Sequence, residues 1–207
     1  MRLVAVIALT LACGLVPTAT LAQQREPAQR VQPFDRLTGP RIDVEAGADG
    51  VPPLTDFCPD DTAACQVYWP YTLHFVRNPT IPVRDREILV LRTAWLSRGD
   101  YIWGRHNDIG QNAGLTEEEI ARIRVGPEAP GWSVFDAALL RAADELHTSR
   151  FVSGTTWDAL AGRYDEGQLT EVVLIVGNYT QLAMFQNALG VPLPRDVPGL
   201  PPDPATR

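Results

Sequence analysis

Two residues of types that transfer protons, Glu87 and His106, lie among apolar residues in segments with helical periodicity. Glu87 falls on one helical face with Val90, Leu91 and Ala94. His106 falls on another with Ile102, Trp103 and Ile109. A carboxylate and an imidazole that meet away from water form a proton-relay pair. The alternative is a buried Glu–His hydrogen bond that only holds two helices together.

The segments that carry these residues are predicted to be neighbouring helices. Residues 83–96 read as one helix, residues 97–99 as a turn, and Asp100 as the cap of a helix that ends near Ala113. Because so short a turn places two helices side by side, Glu87 and His106 are expected to meet at the helix interface. The neighbours Arg84, Asp85 and Arg86 are interpreted as the solvated entry of the first of these helices.

The rest of the chain also reads as helical, and no segment alternates with the period of a strand. Residues 62–77 predict a helix with a kink or break at Pro70. Capping boxes or caps at Thr116, Ser133 and Asp165 open three more, and residues 155–164 form another. The last helix is expected to end at Leu189, before Gly190. The fold class is therefore all-α.

The N-terminus predicts export. Residues 1–22 combine Arg2, an apolar run and a small-residue site ending at Ala22, which is typical of a secretory signal peptide. The expected location is periplasmic or secreted. Residues 23–60 are polar and rich in Pro and Gly, so they predict an extended N-terminal arm, and residues 194–207 a Pro-rich tail. Residues 61–193 would form the helical domain.

Two cysteines, Cys58 and Cys65, remain after the predicted cleavage. In an exported protein they are interpreted as a local disulfide, the alternative being two unrelated thiols. Their spacing fits neither a redox motif nor a zinc site. With only three His in the chain, no metal site is expected.

The charge and the apolar pattern limit the partners. The formal net charge is −7, and removing Arg2 with the signal makes the mature chain more negative. Nucleic acid needs a basic face, so it is not an expected partner. No segment after the signal is long and apolar enough to span a bilayer.

Several segments together resemble the carboxymuconolactone decarboxylase-like family, which includes the AhpD type of alkylhydroperoxidase. They are residues 84–95 (RDREILVLRTAW), 101–106 (YIWGRH), 113–120 (AGLTEEEI), 136–146 (DAALLRAADEL), 164–166 and 187–192. The resemblance covers most of residues 65–193. It implies an AhpD-like helical bundle and a homo-oligomer built from trimers.

The peroxidase branch of this family uses a Glu, a Cys-x-x-Cys pair and a His. Glu87 and His106 match the Glu and the His, but Gly99 and Ile102 occupy the cysteine positions. Peroxide reduction needs an attacking and a resolving thiol, so thiol peroxidase activity is not expected.

The decarboxylase side of the family implies a cofactor-free lyase or isomerase acting on a small, possibly carboxylated, ring or lactone. In this reading His106 is the acid and base, Glu87 orients it, and Tyr101 donates to an oxyanion. Arg92 is a candidate clamp for a substrate carboxylate, or else a structural ion pair with an acid such as Asp144 or Glu171. Further candidates for contact with the substrate are Trp103, Asn178 and His74. The competing function is a non-catalytic exported protein that binds a ligand or assembles with partners.

Overall fold

The computed structural model describes residues 37, 39–48 and 50–202 of the chain. The predicted signal peptide and most of the first half of the predicted arm lie outside these residues. The described chain contains a short 3-10 helix, Leu54–Phe57, and no strand. Its seven α-helices are α1 Ala63–Arg77, α2 Val83–Leu96, α3 Asp100–Asn112, α4 Glu117–Val125, α5 Val134–Ser149, α6 Gly154–Ala161 and α7 Glu166–Leu189. The all-α prediction is confirmed.

The predicted helix starts are confirmed where a polar side chain caps the first turn. The Thr116 hydroxyl accepts a bond from the amide of Glu119, whose carboxylate accepts one from the Thr116 amide. Asp165 and Gln168 form the same reciprocal pair at α7. These bonds satisfy amides that have no partner inside the helix, which is why the starts are readable in the sequence.

Helix α2 lies at the centre of the bundle. It packs against α3, α5 and α7, and its residues from Asp85 to Leu96 are all buried. The interpretation of Asp85 and Arg86 as solvated is therefore wrong. Asp85 accepts bonds from the Tyr164 hydroxyl at 2.6 Å and from Arg163 at 2.8 Å, so its charge is balanced inside the fold. Because polar residues occur on all sides of α2, its sequence did not predict that the helix is buried.

The break considered at Pro70 does not occur, because α1 runs through it. Pro70 is exposed, so its ring does not have to be packed into the core. The helix is anchored at its start by a disulfide between Cys58 and Cys65, with Cα atoms 5.3 Å apart. The predicted cysteine pairing is confirmed.

Both terminal segments pack onto the helices. The Arg41 amide donates to the carbonyl of Leu189 at the end of α7, at 2.9 Å. The Leu200 amide donates to the carboxylate of Asp100 at the start of α3, at 3.0 Å. The two ends of the described chain therefore cover the region where α3 begins and α7 finishes.

Candidate functional site

The structure brings Glu87 and His106 together at the α2–α3 interface. Glu87 Oε2 lies 2.7 Å from His106 Nδ1. The other carboxylate oxygen, Oε1, accepts from Nε and Nη2 of Arg86, at 2.6 and 2.5 Å. Glu87 is completely buried, Arg86 nearly so, and His106 is 7% exposed. The three residues form one hydrogen-bonded chain from guanidinium to imidazole.

Arg86 is fixed by the end of α1 as well as by Glu87. Its Nη1 donates to the carbonyls of Phe75 and Val76 in the last turn of α1, at 3.2 and 3.1 Å. Carbonyls in that turn lack partners within their own helix, so a guanidinium group is a favourable cap for them. Arg86 thereby holds a positive charge beside a carboxylate that has no contact with water.

This arrangement decides which imidazole nitrogen is available for chemistry. Because a carboxylate accepts hydrogen bonds, His106 Nδ1 is assigned as the atom that donates to Glu87. The second nitrogen, Nε2, is then the one that gives or takes a proton. The ring stands edge-on to Tyr179 of α7, with centroids 5.0 Å apart. Burial raises the pKa of the Tyr179 phenol, and the Glu87 charge raises it further, so this hydroxyl stays protonated.

Tyr101 lies at a cavity to which the Glu87–His106 pair does not contribute. It lines a cavity of about 280 Å³ together with Asp100, Gln186 and Asn187, and neither Glu87 nor His106 belongs to that lining. The guanidinium carbon of Arg105 lies 5.7 Å from the centre of the Tyr101 ring. The structure therefore places the predicted oxyanion donor in a cavity apart from the predicted acid and base.

Arg92 forms an interior ion pair with Asp144, one of the two acids considered for it. Its Nε and Nη2 donate to the two carboxylate oxygens of Asp144 at 2.6 and 3.0 Å. Its Nη1 donates to the carbonyls of Ile123 and Arg124, both at 2.9 Å. A guanidinium group held this way ties α2 to α4 and α5, and the geometry favours the structural alternative over a substrate clamp.

The other candidates for substrate contact are dispersed. Trp103 is buried and its ring lies 5.9 Å from that of Trp95. The side-chain oxygen of Asn178 accepts from the Thr72 hydroxyl at 2.9 Å. The side-chain nitrogen of Asn178 has no hydrogen-bond partner among the described residues. His74 is exposed and lines a second cavity of about 490 Å³ with Glu171.

Sequence reasoning missed Arg86 as a member of the site. Residues adjacent in a helix do not share a face, so periodicity alone separates Arg86 from Glu87. The long arginine side chain nevertheless reaches its neighbour's carboxylate. A signal was present in the juxtaposition of an arginine with a carboxylate that the periodicity placed on an apolar face.

The described chain is a bundle of seven α-helices with a buried Arg86–Glu87–His106 chain. Two comparisons with known proteins show what this bundle is similar to. Residues 67–145 match the model of the carboxymuconolactone decarboxylase family, so this segment of the chain is similar to that family. A crystal structure of a protein of unknown function from Agrobacterium tumefaciens, provisionally described as the antioxidant defence protein AhpD, is similar in fold. The TM-score is 0.57 at 14% identity, over 65% of this chain and 92% of that one. No curated protein matches the chain.

The positions that would carry the peroxidase cysteines are filled by packing. Ile102 is buried, and a Cβ placed on Gly99 would lie 3.1 Å from its Cδ1 and 3.4 Å from the Ala183 Cβ. Within the described part of the chain, no group of His, Cys, Asp and Glu side chains is arranged to hold a metal ion. Nor does any helix described there have the length and apolar character of a membrane span.

Proposed function

We propose that this protein is a cofactor-free lyase or isomerase of the carboxymuconolactone decarboxylase family, working on a small ring or lactone through a Glu87–His106 proton relay. The observation that carries the proposal is the buried hydrogen bond of 2.7 Å between Glu87 and His106, with Arg86 on the other carboxylate oxygen. An imidazole with a fixed tautomer and a carboxylate behind it is suited to move a proton near neutral pH.

For a carboxylated lactone, the proposed step breaks the bond between the ring and its carboxylate. Carbon dioxide leaves, and the electron pair of that bond passes into the unsaturated lactone as an enolate. Imidazolium Nε2–H of His106 then gives its proton to the enolate carbon, and water restores the proton. For an isomerisation, the same nitrogen removes a proton from one ring carbon and returns it to another.

Glu87 is a positioning residue in this proposal. It fixes the orientation of His106 through Nδ1, while the Arg86 guanidinium group holds the other carboxylate oxygen of Glu87 in place. Arg92 has no part in it because its guanidinium group is bound to Asp144 and two carbonyls. The proposal therefore includes no dedicated clamp for a substrate carboxylate, and an uncarboxylated ring is an equally suitable substrate.

Two assays on purified protein test the relay. Loss of the carboxylate from carboxymuconolactone is followed by ultraviolet absorbance. Exchange of ring protons of the uncarboxylated lactone with deuterium oxide is followed by proton NMR. We expect at least one rate above that of buffer, and His106→Gln should lower it by about a hundredfold or more, as for loss of a general acid–base group.

The matched control is His147→Gln, the same substitution on α5, outside the Arg86–Glu87–His106 chain. It should retain the wild-type rate per folded molecule, while Glu87→Gln should reduce the rate less than His106→Gln does. A wild-type protein with neither activity above buffer, or a His106→Gln variant as active as His147→Gln, would contradict the relay.

A second function is favoured by one specific observation. Glu87 and His106 line neither the cavity beside Tyr101 nor the one beside His74, so their pair also fits a purely structural link between α2 and α3. The protein would then be a non-catalytic ligand-binding or assembly protein of the same fold. In that case His106→Gln and Glu87→Gln should both lower the melting temperature. The wild type should then show neither decarboxylation nor proton exchange above the rate in buffer.

We also propose that the protein is exported and forms a homo-oligomer. The Cys58–Cys65 disulfide supports an oxidising compartment, since cytosolic thiols are kept reduced. Export predicts a mature N-terminus near Gln23, which N-terminal sequencing of periplasmic or secreted material tests, and recovery of material that begins at Met1 would contradict it. Sedimentation of the purified mature protein tests the trimer-based assembly, which a purely monomeric species at micromolar concentration would contradict.

A further inference from the structure

Helices α1 and α7 lie side by side and run in opposite directions. The Tyr68 ring in the first half of α1 lies 5.9 Å from the Phe185 ring near the end of α7. One turn further along α1, the Thr72 hydroxyl donates to the side-chain oxygen of Asn178, about two turns back along α7, at 2.9 Å. Later positions on one helix thus meet earlier positions on the other, so the two helices are antiparallel neighbours.

The outer sides of these two helices meet across a groove of about 490 Å³. Tyr71 and His74 of α1 line the groove together with Leu174 of α7, and all three residues are exposed. The groove therefore joins the exposed side of α1 to that of α7. We call this joint surface, formed by the exposed residues within 67–74 and 167–188, the α1–α7 face.

The α1–α7 face carries no charged side chain. Residues 63–76 contain no Asp, Glu, Lys or Arg, and residues 167–189 contain only Glu171, which is buried. By contrast, α4 and α6 expose charged side chains, such as those of Glu117 and Asp158. Charged residues make up 21% of the chain, so two neighbouring helix sides without any exposed charge set this surface apart from the others.

The α1–α7 face instead presents large apolar side chains. Val67 is 72% exposed, Met184 60% and Leu174 42%. Exposed positions along α7 recur every three or four residues from Gly167 to Ala188, which is the spacing of a seam between packed helices. Contiguous exposed apolar surface of this kind marks an interaction site.

The size of the α1–α7 face suits a protein partner. At about 1.5 Å per residue, the 15 residues of α1 span about 22 Å and the 24 residues of α7 about 36 Å. Two helices side by side are about 20 Å wide, so the face has a flat area of roughly 600 Å². Side-chain relief raises the accessible area above that figure, toward the roughly 800 Å² that each partner buries in a standard interface.

A second copy of this chain is the partner that the charge favours. The formal net charge is −7, so two copies repel each other over most of their surfaces. This repulsion is weakest on the α1–α7 face, because the nearest charges of its two helices lie at its ends. The exposed side chains of Thr170 and Gln181 both donate and accept hydrogen bonds, so they can pair with the same groups of an identical copy.

The charges at the ends of the face are complementary under two-fold symmetry. With a two-fold axis across the helices, α1 of one copy lies on α1 of the other in reverse, and the exposed Arg77 approaches the exposed Asp60 and Asp61 of the second copy. With an axis along the helices, α1 lies on α7, and Arg77 approaches Asp165 and Glu166 of the second copy. Both arrangements give an uncharged centre with a charged rim, as protein interfaces have.

From these observations we infer that a second copy of this protein packs on the α1–α7 face through a two-fold axis. The inference rests on the proposed homo-oligomer and names the surface by which its copies pair. Because a two-fold contact joins copies in pairs, the assembly contains an even number of chains: two, or six where trimers are joined.

The test is sedimentation equilibrium of the purified mature protein, which gives the mass of the assembly and its dissociation constant. The double variant Leu174→Glu, Met184→Glu brings like charges of two copies together. We expect it to weaken pairing by about a hundredfold or more and so to halve the number of chains. Both positions are exposed, so the fold should be retained, which circular dichroism checks.

The matched control is the double variant Val125→Glu, Val134→Glu. It makes the same change of charge at two exposed apolar positions, which lie on α4 and α5, outside the α1–α7 face. This variant should keep the number of chains of the wild type. Loss of pairing in both double variants would show that added charge alone separates the copies, and would overturn the assignment of the face.

The outcomes separate this inference from the proposed assembly. A trimeric wild type would overturn the two-fold pairing alone, and a monomer would overturn the homo-oligomer as well. A monomer is the result expected if residues 23–36 or a different protein cover the face. An even-numbered wild type whose mass is unchanged in the Leu174→Glu, Met184→Glu variant would show that copies pair elsewhere.

A measurement on the wild type decides the matter even if the variant does not fold. Met184 is the only methionine after the predicted cleavage, so its oxidation by dilute hydrogen peroxide is readily followed by mass spectrometry. We expect oxidation to be severalfold slower at protein concentrations above the dissociation constant than below it. Equal rates across that range would show that Met184 stays exposed in the assembly and would overturn the inference.

Discussion

The guanidinium group of Arg86 turns onto the carboxylate of the next residue, Glu87, with Nη2 2.5 Å from Oε1. Both side chains are almost completely buried, at 3% and 0% exposure. Two opposite charges are thus removed from water together, and each depends on the other for its balance. The same carboxylate reaches His106, so the ion pair also sets the electrostatic surroundings of the proposed relay.

This mutual dependence predicts strong coupling between the two residues. Arg86→Met leaves Glu87 as an uncompensated buried charge and should lower the free energy of unfolding by about 3–5 kcal/mol. Adding Glu87→Gln should restore part of the loss, because the unbalanced charge is then removed. Urea unfolding of the two single variants and the double variant measures the coupling. Additive effects of the two substitutions would show that the charges act independently.

Arg92 should matter for stability and not for any proton transfer. Arg92→Lys removes the two-pronged contact with Asp144 and the bonds to the carbonyls of Ile123 and Arg124, so we expect a loss of about 2 kcal/mol or more. Arg141→Lys, at a pair with the exposed Glu128, should change stability by less than about 0.5 kcal/mol. Thermal unfolding and the exchange rate per folded molecule check this. A changed rate of deuterium exchange in Arg92→Lys would indicate that Arg92 takes part in the candidate site.

Removing the disulfide should destabilise the start of α1. Replacing Cys58 and Cys65 by Ser frees a short loop in the unfolded chain, for which the loop-entropy relation gives about 2–3 kcal/mol. Chemical unfolding of this variant beside the wild type provides the measurement. The intact mass of the wild type should also rise by two hydrogens on reduction, and thiols that react fully in the native protein without reductant would contradict the bridge.

Two helical glycines should respond to alanine in opposite directions. A Cβ on Gly104 of α3 would collide with the Pro198 carbonyl and the Val197 side chain of the C-terminal segment. Gly104→Ala should therefore lose about 1–3 kcal/mol. A Cβ on Gly177 of α7 meets nothing within 4 Å, so Gly177→Ala should gain about 0.5–1 kcal/mol through helix propensity. Melting temperatures that move together would refute the packing of the C-terminal segment on α3.

His147 should make stability depend on pH. Burial lowers its pKa below the usual value of 6.5, and the charges of Arg150 and Arg92 lower it further. The unfolded state then binds more protons than the folded state below about pH 6.5, so the contribution of His147 to the free energy of unfolding falls as the pH drops through that range. The difference between the wild type and His147→Gln, measured by urea unfolding from pH 7.5 to pH 5 at about half-unit steps, isolates this term. A difference independent of pH would exclude it.

The helices of this fold were largely predictable because local capping residues mark their ends. The bounds of α2 are those predicted, and Thr116, Ser133 and Asp165 cap the helices expected to follow them. Apolar periodicity and a short turn were enough to predict the contact between Glu87 and His106. Local signals decide such features because they depend on residues only a few positions apart.

Other parts of the site depend on contacts between residues far apart in the chain. Arg92 had two possible acid partners in the sequence, and the packing of α5 against α2 selected Asp144, while Glu171 instead accepts from the Thr80 amide. Asp85 and Arg86 looked like solvated residues, since nothing local shows that α2 packs against four other helices.

By itself, the sequence determined the helical class, most of the helix limits and the contact between Glu87 and His106. These follow from short-range periodicity and capping, whereas the disulfide was only favoured, through the predicted export and the two remaining cysteines. Only the tertiary structure decided that Arg86 pairs with Glu87, that Arg92 belongs to the interior, and that Tyr101 lines a cavity to which Glu87 and His106 do not contribute. The physical reason is that burial and charge pairing are properties of the packed helices together, and one segment read alone carries no record of what surrounds it.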